Sequence, residues 1–174
     1  DKKLVDAQNE IADVLLSGEY THLLTIEDDH WNFTSEMLDA CLKADADVCG
    51  IAYRSRHFPF EKIPMVKGAI NKEGCQLYKG AKHDSGYHEA DLIAFGFTLI
   101  KRSCFDLLDK PYFRLNKETN PFVGNHATDI DFSQRLKAKG ANLVGCYDFV
   151  LPHRDIEEDS YKKMLVEGVI AKHS

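Results

Sequence analysis

The feature that most limits what this chain can fold into is a change of hydrophobic period between residues 3 and 27. Over 3–16, Leu4, Gln8, Ile11 and Leu15 recur on one stripe with Val5, Ala12 and Val14 beside it, which is a helical period, and Gly18 follows as a stop. Residues 21–27, Thr-His-Leu-Leu-Thr-Ile-Glu, abandon that period for a continuous run of β-forming residues. A run with no polar face reads as a strand covered on both sides, as in a buried parallel sheet. Thr34 then stands as N-cap to a helix carrying Met37, Leu38, Cys41 and Leu42, and a second strand is expected over 47–53. Helix, strand, helix, strand in that order predicts an α/β fold.

The remainder is more broken. Residues 54–89 contain Arg54, Arg56, His57, Pro59, Pro64 and glycines at 68, 74, 80 and 86, and are expected to be loops with a small hairpin near 75–79. Strand character returns over 90–101, and a short helix over 102–108 ends before Pro111. After a loop over 112–127, Thr128 caps a helix over 129–139 with Asp131 in capping-box position and Gly140 as its stop. A last strand over 142–147 leads through Pro152 and His153 to an amphipathic helix over 157–171. With 174 residues, 44% hydrophobic and 29% charged, the composition fits one packed globular domain spanning 1–174.

Charge and cysteine usage exclude several functions. Lys and Arg number 22 against 28 Asp and Glu, for a formal charge of -6, and no stretch concentrates base, so no nucleic-acid partner is expected. No apolar run approaches the roughly 20 residues of a membrane helix. Cys41, Cys49, Cys75, Cys104 and Cys146 are odd in number and widely spaced, which predicts reduced thiols and a cytoplasmic protein.

Several constellations can carry chemistry. Glu27-Asp28-Asp29 closes the first strand, where open α/β sheets place their ligands. Carboxylates gathered there repel unless a cation neutralises them, and hard oxygen donors suit Mg²⁺ or Mn²⁺; a solvated, helix-capping turn is the structural alternative. Asp129 and Asp131 open a helix whose dipole favours carboxylates, and Asp129 is also placed to act as general base toward an acceptor hydroxyl. His153 is a candidate imidazole ligand or a surface residue. Arg54 and Arg56 can hold a phosphate or carboxylate, or pair with the acidic excess. Phe95-Gly96-Phe97 places a glycine inside a strand, a mark of a bulge, of aromatic packing, or of the close approach of a ligand. The loop aromatics Phe58, Phe60, Tyr112, Phe113 and Phe122 can line a sugar cleft or bury their own loops.

Taken in order, these segments resemble the GT-A fold of nucleotide-sugar-dependent glycosyltransferases, most nearly family 2. Leu-Leu-Thr-Ile-Glu27-Asp28-Asp29-His30 is similar to the EDD variant of that family's DxD motif, which implies Asp29 as metal ligand and Asp28 near the ribose. Residues 94–102 look like its glycine-containing strand before the acceptor site, which implies contacts from Phe95, Gly96 and Phe97. Thr128-Asp129-Ile130-Asp131, with Arg135 and Gly140 downstream, resembles its ED-x-D helix start, with Asp129 at the catalytic base position and Thr128 in place of Glu. His153 matches a histidine that completes the metal site.

The resemblance implies a mostly parallel, Rossmann-like sheet flanked by helices, lacking the family's N-terminal nucleotide-binding strand and helix. The activity it implies is metal-dependent, inverting transfer from a UDP- or GDP-sugar to a glycan or other hydroxyl acceptor, with Mn²⁺ or Mg²⁺ as cofactor. Arg54, Arg56 and Asp131 would serve substrate binding, residues 154–163 would form a lid, and a homodimer could repair the open sheet edge. The alternatives are a nucleotidyltransferase and a noncatalytic glycan- or protein-binding module.

Overall fold

A computed structural model describes residues 2–54, 62–63, 84–115 and 128–152. In chain order the elements are α1 (Lys2–Ser17), β1 (His22–Ile26), α2 (Ser35–Lys43), β2 (Val48–Arg54), β3 (Lys62–Ile63), β4 (Tyr87–Glu89), β5 (Phe97–Lys101), α3 (Ser103–Asp106), α4 (Thr128–Ala138) and β6 (Leu143–Leu151). The strands form one sheet in the order β1-β5-β2-β6-β4, with β3 pairing the far end of β2.

The expected mostly parallel sheet is not what forms. β1 runs antiparallel to β5, β5 to β2, β3 to β2 and β4 to β6, and among the described residues only β2 and β6 are parallel. The fold is mixed α/β on a mostly antiparallel sheet. β1 lies at the end of the sheet order and is half-buried, with Ile26 exposed at its end.

Its unbroken apolar run has a different cause from the one expected. Leu23 packs against one core and Leu24 against the other, on opposite faces of the sheet. One core joins Ala12 and Leu15 of α1, Phe105 of α3, and Phe132 and Leu136 of α4. The second holds Met37 and Cys41 of α2 against Cys49, Ile51, Phe97, Leu99 and Cys146. Helices on both faces demand apolar residues on both faces, whatever the direction of the neighbouring strand.

Local boundaries follow from backbone bonding. Thr34 is extended at the N-cap of α2, as expected, although its side chain makes no capping hydrogen bond. The strand expected over 90–101 is confined to β5. Ahead of it the Gly96 carbonyl accepts from the Glu27 amide at 3.1 Å, and the carbonyls of Ala94 and Phe95 accept from the hydroxyls of Thr98 and Thr25. β6 is longer than expected because its pairing with β2 jumps from Cys146 to Val150, opposite Ile51 and Ala52, and then continues. Gly140, at φ +84°, ends α4: its amide donates to Lys137 and that of Ala141 to Leu136, the pattern of a Schellman cap. The expected hairpin near 75–79 and the helix over 157–171 lie outside the described residues, as does Cys75. No described helix is long and apolar enough to cross a membrane.

Candidate metal centre

The chain leaves β1 through a tight turn. The Glu27 amide is tied to Gly96 of the neighbouring segment, and the His30 amide donates back to the Glu27 carbonyl at 3.4 Å. That turn folds three donors together: a carboxylate oxygen of Glu27, one of Asp29 and a ring nitrogen of His30 all lie within 4.8 Å of one another. His30 Nδ1 is 2.8 Å from Asp29 Oδ1 and 4.0 Å from Glu27 Oε2. Asp28, between them, is exposed.

The three donors are graded in depth. The Glu27 side chain is 49% exposed, that of Asp29 23% and that of His30 0%. Burial lowers the His30 pKa to about 4, so the imidazole is neutral at physiological pH. Its ring meets Tyr53 edge-on, with centroids 4.9 Å apart and planes at 83°. Gly96 lies against both rings: a Cβ there would lie 3.1 Å from His30 Cε1, 3.2 Å from Nε2 and 3.4 Å from Tyr53 Cδ1. The two carboxylates so placed offer the oxygen donors that Mn²⁺ and Mg²⁺ mainly take, with the imidazole set behind them.

Asp129 sits in the first turn of α4, half-buried, with Oδ1 accepting from the Ile130 amide at 2.9 Å. Burial raises its carboxyl to about 6. α4 packs on the segment that leads to Gly96: Ser133 exchanges hydrogen bonds with the backbone of Ile93, and Phe132 packs edge-on to Phe95.

The other residues singled out from the sequence have distinct places. The Asp131 carboxylate is neither a capping-box acceptor nor open to a ligand: it is buried and takes Nε of Arg114 at 3.0 Å and Nε of Arg135 at 2.7 Å. Arg135 also donates to the Tyr112 carbonyl, so the pair ties the chain at 112–114 to α4. Phe95 is core, 5.6 Å from Phe113 and 5.8 Å from Phe132 between ring centroids, and Tyr112 and Phe113 are buried with it. Phe97 is buried and stacked on Phe33 at 5.8 Å. Gly96 alone of the three faces the centre. Arg54 ends β2 opposite Lys62. Arg56 and His153, with residues 154–163, lie outside the described residues.

The sequence grouped Glu27 with Asp28 and Asp29 as a candidate cation site but named Asp29 and His153 as the ligands, and it did not bring His30 to Asp29. The available signal was spacing: in a turn that begins as a strand ends, positions i, i+2 and i+3 can converge, and among the described residues this turn is held by the His30–Glu27 backbone bond and by the Glu27–Gly96 bond, 69 residues away in sequence.

No protein-family model matches the chain, and no curated protein matches it. Among solved structures, A197 from STIV is similar over 82% of this chain and 62% of its own length, at 15% identity and a TM-score of 0.51. This chain therefore spans less than two thirds of that structure, and at such identity the likeness concerns the fold alone.

Proposed function

We propose that the turn after β1 binds a divalent cation through Glu27 and Asp29, and that the protein transfers a sugar from a nucleoside-diphosphate donor to an acceptor hydroxyl. The convergence of the Glu27 and Asp29 carboxylates at one turn, with His30 Nδ1 2.8 Å behind Asp29, carries the proposal. The sugar-transfer half is supported by the resemblance of residues 24–30 and 128–135 to the motifs of metal-dependent glycosyltransferases. When bound, Mn²⁺ or Mg²⁺ would supply charge neutralisation to a departing diphosphate.

The chain's own residues have separable tasks. Glu27 and Asp29 present oxygen donors from a turn held by Gly96. Asp129 is the general base: a carboxyl raised to about 6 remains ionised at neutral pH and is a stronger base than an ordinary aspartate. Removal of the acceptor proton as the hydroxyl attacks the anomeric carbon gives, in one displacement, inversion. Asp131, held by its two arginines, supports the loop and helix rather than the substrate. A cytoplasmic setting is supported by Cys41, Cys49, Cys104 and Cys146, all buried free thiols.

Calorimetric titration of UDP and GDP, with and without Mn²⁺, tests the reading. Binding that requires Mn²⁺ and is lost in Asp29→Ala is the expected result. Nucleotide binding indifferent to both would refute the metal centre, and product analysis with UDP- and GDP-sugars separates sugar transfer from nucleotidyl transfer.

A further inference from the structure

We infer that His30 is a positioning residue that aims Asp29 at the cation by donating a hydrogen bond from Nδ1, and is not itself a ligand; the inference rests on the cation reading above. The 2.8 Å separation between Nδ1 and Asp29 Oδ1 is that of a charge-assisted N–H to carboxylate bond. The depth gradient places the imidazole beneath the carboxylates, fully shielded, whereas both carboxylates reach solvent. A cation arriving from water meets Glu27 and Asp29 first.

The ring is also walled. Gly96 lies against Cε1 and Nε2, close enough that even a methyl group there would crowd the imidazole, and Tyr53 meets the ring edge-on. Nδ1 already faces both carboxylates, so offering its lone pair to the cation would require the proton on Nε2 instead and would remove this hydrogen bond from Asp29. Left in place, the ring fixes one Asp29 oxygen and orients the carboxylate, the part that outer partners of metal ligands commonly play. Gly96 thereby acts twice, through its carbonyl on the Glu27 amide and through its missing side chain on His30.

Two measurements on the full chain test this. In the metal-free protein, long-range ¹⁵N–¹H correlation of the His30 ring is expected to show the proton on Nδ1; a proton on Nε2 with a bare Nδ1 overturns the inference whatever the metal does. Mn²⁺ titration followed by electron paramagnetic resonance is then expected to show about 10–100-fold weaker binding in His30→Ala. His30→Asn, whose amide reaches where Nδ1–H was, should recover most of that loss, and circular dichroism confirms that each variant is folded. Pulsed resonance on wild-type protein is expected to show no manganese–nitrogen coupling that disappears in His30→Asn. Such a coupling would make His30 a ligand and overturn the positioning role alone. Failure of the wild type to take up Mn²⁺ would instead overturn the cation reading and the positioning role together.

Discussion

Asp131 accepts a 2.7 Å hydrogen bond from Nε of Arg135, one turn further along α4, and the same carboxylate receives Arg114 from the preceding loop. Among the described residues, these two arginines are the side-chain partners that stabilise so buried a carboxylate. Asp131→Ala leaves Arg135 with its charge mostly enclosed and releases the loop at 112–114. Because Arg114 is 44% exposed, the expected loss is discounted to about 2–4 kcal/mol. Urea denaturation measures it; a loss within experimental error would show that the triad contributes nothing net.

Gly96 is expected to resist the smallest substitution. A Cβ at 3.1 Å from the His30 ring forces a shift of a few tenths of an ångström against Tyr53. Gly96→Ala should cost about 1–3 kcal/mol in thermal or urea unfolding and move the His30 ring resonances. Unchanged ring resonances in a folded Gly96→Ala protein would mean that the imidazole has room to yield.

Asp129 predicts a pH dependence with a definite sign. Its native carboxyl is raised to about 6 from 3.8, so between those values the native state binds the proton more tightly than the unfolded state. The Asp129 contribution therefore favours folding below about pH 4, fades as pH rises to about 6, and is constant above. His30, lowered to about 4 from 6.5, acts in the opposite direction across nearly the same window. The difference between wild type and Asp129→Asn cancels the histidine, and at pH 7 the variant should be more stable by roughly 1–3 kcal/mol while losing transfer activity. Denaturation at pH 4 and 7 gives the stability difference; one that does not change between these pH values refutes the raised carboxyl.

Gly140 should show a purely conformational cost. At φ +84° an L side chain is strained even though a Cβ would meet nothing within 4 Å. Gly140→Ala is expected to lower stability by about 1 kcal/mol, with Mn²⁺ binding unchanged. No loss at all would mean that the C-terminal turn of α4 rearranges at little cost.

The sequence by itself determined the elements whose signals are local. The helical period over 3–16 is α1, although Leu4 and Ile11 of the expected stripe are exposed and Ala12 and Leu15 form its buried face; the run through Leu23 and Leu24 is β1, Thr34 starts α2, and Gly140 stops α4 with a left-handed residue. It also marked the acids after β1 and the opening of α4, because carboxylates at element ends stand out against apolar runs. Strand direction was beyond it. A residue pattern records that both faces of β1 are covered, by Leu23 toward one core and Leu24 toward the other, but contains no term for whether β5 runs alongside or against it. Only the tertiary structure decided that, and with it the company each acid keeps. Asp131 was drawn to Arg114 and Arg135 because packing enclosed it, while Glu27, Asp29 and His30 were gathered by a hydrogen bond to Gly96 and by the space its absent side chain leaves. Contacts between residues distant in sequence obey sterics and desolvation in three dimensions, and neither has a local period from which it could have been read.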